Sequence, residues 1–285
     1  MKGSELRVTA SSDPGSPDKP NEDGVVICAD TVAVLDGATA RTDTGCIHGV
    51  AWFVEHLAKA FAEHSDLSPA DALASAISAT ADQHRDTCDL AHPGTPSAAV
   101  AIMQARSGVL RYLLIGDITL MIDTAHGLQV MTDDRVGTTA RTERATADSL
   151  PSGSAEKDHA LIRMKRAELA ARNVPGGFWI AAADPGVVTN ALTSEVPLRE
   201  VRRAAMLTDG AVRAVDPLKL YDWPTLLTEL GTSGPNELIR QVRAAENTDP
   251  AGARWPRNKI HDDATVAWLS FDPTDLFAHQ DAAYD

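Results

Sequence analysis

Cysteine is scarce, with only Cys28, Cys46 and Cys88 in 285 residues. An odd, sparse set without C-x-x-C spacing argues against a disulfide framework or a zinc knuckle and reads as three reduced thiols. Positive charge is also short. A formal net charge of −14 offers no bulk attraction to nucleic acid or to an anionic membrane, since both need a positive surface. No apolar run reaches the roughly 18 residues of a membrane span, and Met1–Pro20 has no apolar leader core. The expected location is the cytoplasm, with neither nucleic acid nor membrane as partner. The chain also lacks G-x-S-x-G, a Gly-Lys-Ser/Thr phosphate loop and a G-x-G-x-x-G before a helix. Those absences count against serine hydrolase, nucleotide hydrolase and dinucleotide enzyme. An acidic chain can still take an anionic substrate, because bound cations reverse the sign of a site.

The apolar patterning predicts an α+β order. Val25–Ala29 and Thr31–Leu35 flank Asp30 as two short strands. Asp43 or Thr44 caps a helix to about Glu63, with Val50, Phe53, Val54, Leu57, Ala58 and Phe61 at helical spacing. Ser68-Pro69-Ala70-Asp71 starts a second helix that ends near Asp86. Ser97–Ala105, Leu110–Ile115 and Thr119–Ile122 form a strand meander. Further strands are expected at Phe178–Ala182, Arg203–Leu207 and Ala264–Phe271, and helices at 155–172, 220–230 and 235–246. Residues 10–20 read as a loop, and 132–158 as a long polar flap. Asp184-Pro185 reads as a helix start, and the tail after Pro273 as frayed. No repeat or linker divides the chain, so one domain over 1–285 is expected, with a core of about 20–271 and a flap or insert of about 132–178.

Several aspartates share one local grammar, each lying where an apolar run meets a turn. Asp23 stands in Asn21-Glu22-Asp23-Gly24, Asp36 precedes Gly37, Asp209 precedes Gly210, and Asp262-Asp263 precede Ala264–Trp268. Asp117 follows Leu113-Leu114-Ile115-Gly116. Hard cations such as Mg2+ and Mn2+ take oxygen ligands, and carboxylates at strand ends are held rigidly while facing water. A following glycine lets backbone come close. Any single Asp-Gly is more often an ordinary turn.

Taken in order, Asn21-Glu22-Asp23, Val34-Leu35-Asp36-Gly37, Ile115-Gly116-Asp117, Leu207-Thr208-Asp209-Gly210 and Asp262-Asp263-Ala264-Thr265-Val266 resemble the type 2C (PPM) metal-dependent phosphatases, in particular their bacterial members. The resemblance spans about residues 20–270. It implies a four-layer αββα sandwich of two antiparallel sheets flanked by helices, with a two-metal cleft at one end. It further implies that Asp36 bridges two Mn2+ or Mg2+ ions, that the Gly37 carbonyl binds one, and that Asp209 and Asp262 bind the other. Asp23 or Glu22 would contact the site directly or through water, and Asp117 matches an aspartate that helps hold a third ion. The implied reaction is hydrolysis of phosphoserine or phosphothreonine by a hydroxide between the cations. The same chemistry on a small phosphorylated metabolite, or a catalytically silent binding module with the same fold, stands as the alternative.

The sequence departs from the pattern in places. Many relatives carry an arginine shortly before Asn-Glu-Asp, where this chain has Pro17-Asp18-Lys19-Pro20. Lys19 is the nearest cation and a candidate phosphate ligand, without bidentate geometry. Ala38 stands where eukaryotic members have a histidine proposed as general acid. Arg254, Arg257 and Lys259 lead into Asp262, three cations that could recruit a phosphorylated substrate, with Arg257 the second candidate for its phosphate; a solvated basic loop is the plainer reading. Phe178 and Trp179 read as core. His48, His56 and His64 recur every eighth residue, a spacing that drifts around a helix and places no metal site on one face.

Overall fold

The computed structural model describes residues 6–151 and 153–271. In chain order its strands and helices are β1 (Arg7–Asp13), β2 (Asp23–Ile27), β3 (Thr31–Gly37), α1 (Val50–Glu63), α2 (Pro69–His84), β4 (Ala98–Arg106), β5 (Val109–Ile115), β6 (Thr119–Thr124), β7 (Gly127–Met131), α3 (Arg135–Thr138), α4 (Arg141–Asp148), α5 (Ala155–Ala170), β8 (Leu192–Pro197), β9 (Val201–Leu207), α6 (Asp209–Val212), α7 (Trp223–Thr232), α8 (Gly234–Asn247) and β10 (Ala264–Ser270). Two antiparallel sheets run β1-β10-β9-β6-β7 and β2-β3-β4-β5-β8. None of these helices is long and apolar enough to cross a membrane.

The central strands are apolar on both faces because both faces are covered. Side chains alternate along a strand with period two. In β3, Ala33 and Leu35 therefore join Phe53, Leu57, Leu73 and Ile77 of α1 and α2. Val32 and Val34 point the other way, to Met206, Ala267 and Leu269 of the opposite sheet. In β10, Val266 and Trp268 meet Leu226, Leu230 and Leu238 of α7 and α8. Three buried layers thus separate four layers of structure, α on β on β on α. The α2 start follows the expected chemistry: Pro69 opens the helix, and the Ser68 hydroxyl accepts the Asp71 N–H at 3.3 Å.

Several boundaries differ from the sequence expectation. α1 begins at Val50 rather than near Asp43, because Gly45 and Gly49 sit at φ +65° and +83°, outside the helical region. Residues 10–13 extend β1 along β10, although Ser11, Ser12 and Asp13 read as loop. The 132–158 flap contains α3 and α4, which bury only Ala147 and so gave little periodicity. Phe178–Ala182 is no strand: two isolated bridges form there, Ala181 to Ala98 and Phe178 to Arg172. Phe178 is nevertheless buried, as a core residue should be. The tail after Pro273 lies outside the described residues.

Candidate active site

Antiparallel topology brings the aspartates to one end. Strand β3 leaves that end where β2 enters it, so Asp36 pairs with Asp23 in register. Gly37 pairs with Ala98 at the start of β4, and Val100 pairs with Ile115 at the end of β5, which brings Asp117 to the same rim. On the facing sheet, Leu207 at the end of β9 pairs with Thr119 and Val266. Asp209 and Asp262 therefore emerge beside the first three. Asp36, Gly37, Asp117, Asp209 and Asp262 line a common cleft of about 190 Å3.

Local contacts fix Asp36, Asp23, Glu22, Asp262 and Asp263. The Asp36 carboxylate accepts the Asp209 backbone N–H at 3.3 Å. Asp23 accepts the Thr208 hydroxyl at 2.8 Å, which sets it behind the cleft-lining residues. Glu22 accepts the Thr39 hydroxyl at 2.6 Å, and its carbonyl accepts the Gly37 N–H at 2.9 Å. Asp262 accepts Lys259 Nζ at 2.5 Å and the Arg213 guanidinium at 3.1 Å. Asp263 turns away and accepts the N–H groups of Gly15 at 2.7 Å and Glu22 at 2.6 Å, locking the β1–β2 connection to β10.

The glycines after Asp36 and Asp209 answer to packing. A Cβ on Gly37 would lie 2.5 Å from the Glu22 carbonyl oxygen, and one on Gly210 would lie 2.0 Å from that of Asp263. Both separations are too short for any side chain.

Crowded carboxylates resist ionisation. Desolvation, then repulsion from Asp209, Asp23, Asp117 and Asp262, holds Asp36 well above the ordinary carboxylate range. Desolvation pushes Asp23 up to about 8, although the Thr208 hydroxyl pulls the other way. Asp209 is pushed up to about 7 by desolvation and by Asp262. Desolvation also raises Asp117, against the nearby positive charge of Arg144. Such an all-oxygen cluster with too little positive charge suits hard divalent cations, which would restore the ionised forms.

The two cations singled out from sequence for substrate phosphate are both absent from the cleft lining. Lys19 is exposed in the β1–β2 connection. Arg257 is 5% exposed, and its guanidinium donates to the carbonyls of Trp255, Ile260, Glu246 and Asp249 and to the Asp249 carboxylate. It braces the loop before β10, which corrects its assignment as a phosphate ligand. The cations that do line the cleft are Arg41, Arg144, Lys165, Arg172 and Lys259; of these the sequence pattern pointed only to Lys259, as part of the basic stretch before Asp262. Arg144 and Lys165 pair with Glu168, Arg172 donates to Thr95 and Ser97, and Lys259 pairs with Asp262. Arg41 has no hydrogen-bond or ion-pair partner among the described residues.

Residues 18–239 match the family model described as protein phosphatase 2C; Asp262 lies beyond the matched stretch. No curated protein matches the sequence. Among solved structures, the catalytic domain of the serine/threonine phosphatase PstP in complex with two manganese ions is 19% identical with a TM-score of 0.53, and the alignment covers 93% of this chain and 97% of that one. MsPP of Mycobacterium smegmatis, a PPM Ser-Thr phosphatase in complex with cacodylate, is 16% identical over 94% and 99% of the two chains, with a TM-score of 0.54. Stp1 of Staphylococcus aureus, a serine/threonine phosphatase, is 12% identical over 95% and 96%, with a TM-score of 0.57. At these identities the structures speak for a shared fold.

Proposed function

Because the chain belongs to the protein phosphatase 2C family of metal-dependent serine/threonine phosphatases, we propose that it hydrolyses phosphoserine and phosphothreonine esters of proteins in the cleft around Asp36. The observation that carries this reading is the gathering of Asp36, Asp117, Asp209 and Asp262 from four distant segments into one cleft. Asp36, the Gly37 carbonyl, Asp209 and Asp262 would hold two Mn2+ or Mg2+ ions. Asp23 and Glu22 would brace that set through Thr208 and Thr39, and Asp117 would hold a third ion. Such ions acidify a water and offset charge on a phosphoryl group.

The protein's own groups supply the rest. Arg41, unspent on other partners, would grip the phosphoryl oxygens as a two-pronged donor. Lys259, held between Asp262 and the Thr39 hydroxyl, adds positive charge on the same side. Arg144 and Lys165 of the flap face Asp117 and would close the opposite wall. The unpaired thiols fit a reducing compartment, the cytoplasm.

The test is turnover of p-nitrophenyl phosphate with and without Mn2+, in the natural protein and in Asp36→Asn and Asp209→Asn. Metal-dependent turnover lost in both variants supports the assignment. Absence of turnover with every divalent metal would reduce the protein to a binding module. Phosphopeptides assayed beside phosphorylated metabolites then test the substrate class, and preference for the metabolites would overturn the protein-phosphatase reading.

A further inference from the structure

A second cluster of ligand-type side chains lies outside the carboxylate cleft. Cys46 and His48 stand just before α1, His84 is the last residue of α2, and Cys88 follows it. One ligand atom from each falls within 4.8 Å of those of the other three. Cys46 Sγ is 3.7 Å from His48 Nδ1 and 3.6 Å from His84 Nδ1, and Cys88 Sγ is 3.4 Å from His48 Nδ1. The two sulfurs are 3.0 Å apart.

Zinc in a tetrahedron of two thiolates and two imidazoles has bonds of about 2.3 Å to sulfur and about 2.0 Å to nitrogen. The tetrahedron's edges are then about 3.5 Å between sulfur and nitrogen and about 3.8 Å between sulfurs. All three sulfur–nitrogen separations meet that requirement, and the sulfurs need only move apart by about 0.8 Å. A disulfide would instead need them to close to about 2.05 Å.

Independent observations point the same way. His84 is 1% exposed, and its Nε2 has no hydrogen-bond partner. Its Nδ1 instead faces the Cys46 thiol at 3.6 Å, so a buried imidazole and a thiol are turned toward each other with no stronger partner for that nitrogen. His48 is fixed by stacking on Trp52, with ring centroids 4.2 Å apart, so its Nδ1 is aimed before any ion arrives.

We propose that Cys46, His48, His84 and Cys88 bind one structural Zn2+ ion. Four protein ligands close the coordination sphere and leave no position for a substrate. The ion ties the start of α1 to the end of α2 and so anchors the connection between Gly37 and α1. Thr39, Arg41 and Thr44 of that connection line the catalytic cleft. A bond from the Asp89 N–H to the Gly45 carbonyl at 2.8 Å already joins the same two segments.

Cobalt distinguishes this site from the carboxylate cleft, whose lining includes no cysteine. Reduced protein is stripped of metal, loaded with Co2+ and read for thiolate-to-cobalt charge transfer and tetrahedral ligand-field bands. The expected result is both signatures at about one ion per chain, displaced by Zn2+ and retained in Asp36→Asn/Asp209→Asn. They should be lost in Cys88→Ser and His84→Ala. Chelation should lower the melting temperature of the natural protein more than that of Cys88→Ser. Should a variant fail to fold, the natural protein decides alone: reduced protein that folds yet shows no thiolate–cobalt band overturns the proposal. So does purified protein holding a Cys46–Cys88 disulfide that, once reduced, takes up no zinc.

Discussion

Asp36 and Asp209 stand 173 positions apart in the chain, yet the Asp209 backbone N–H donates to the Asp36 carboxylate at 3.3 Å. One residue ends β3 and the other opens α6, so this bond stitches the two sheets together at the mouth of the cleft. It also fixes Asp36 against the neighbours that repel it. The charge of Asp36 is thus a liability to the empty fold and an asset once cations are present.

Asp36→Asn separates those two roles. The amide keeps the shape and an acceptor oxygen but loses the charge that holds the cations. Turnover is expected to fall on the order of a thousandfold, about 4 kcal/mol of barrier. The metal-free variant should melt no lower than metal-free natural protein, because its repulsion is relieved. Assays at saturating Mn2+ beside thermal melts in chelator give both readings, and an active variant would remove Asp36 from the mechanism.

The same repulsion predicts an unusual pH dependence for metal-free protein. Asp209 and Asp23 are raised to about 7 and about 8. A carboxyl whose folded-state pKa lies above its unfolded one binds its proton more tightly when folded. Its contribution to stability is full below about pH 4 and is lost as pH rises through the folded value. Melting temperature in chelator should therefore fall between about pH 5 and 8. Saturating Mn2+ should flatten or reverse that slope by favouring the ionised forms. A metal-free protein that grows more stable over this window would contradict the assignment.

The central fold was legible because its signals are local. Strands buried on both faces, such as Thr31–Gly37 and Ala264–Ser270, read as continuous apolar runs. Strands β1, β7 and β8 left weaker traces because each is a sheet edge. The exposed residues Thr193, Ser194 and Glu195 of β8 need no apolar pattern. The aspartate-glycine pairs were visible for a reason now physical: Gly37 and Gly210 have no room for a Cβ. Most of the cationic lining was not legible: the basic stretch before Asp262 pointed to Lys259, but Arg41 reaches the cleft from a loop whose path no periodicity encodes. Arg257 misled because its charge is visible in sequence while its carbonyl partners are not. The thiol–imidazole cluster was hidden by spacing: Cys46-x-His48 and His84-x-x-x-Cys88 meet only because α1 packs against α2.

Arg41→Ala tests the phosphate contact. A charged hydrogen bond to phosphate is worth about 1.5–3 kcal/mol, so kcat/KM should drop roughly ten- to a hundredfold. Arg41→Lys should recover part of that through charge without the fork. Mn2+ affinity, followed by titration calorimetry, should change little, because Arg41 makes no bond to the carboxylates. Unchanged kinetics in Arg41→Ala would return the phosphate-binding role to another cation of the cleft.

Behind Asp262 lies a buried charge network whose removal separates stability from chemistry. Arg213 donates to Glu246 at 2.5 Å and to Asp262 at 3.1 Å, while Glu246, 0% exposed, also meets His261 at 2.6 Å and Arg243 at 3.2 Å. Arg213→Met strips Glu246 of one of its three side-chain partners, and breaking a buried pair costs about 3–5 kcal/mol. The lower end is expected because Arg243 and His261 remain. The double variant Arg213→Met/Glu246→Leu removes both buried charges and should recover much of that loss in urea denaturation. Its turnover should stay depressed, because Asp262 still lacks the guanidinium that orients it. Recovery of activity together with stability would show that Arg213 serves the fold alone.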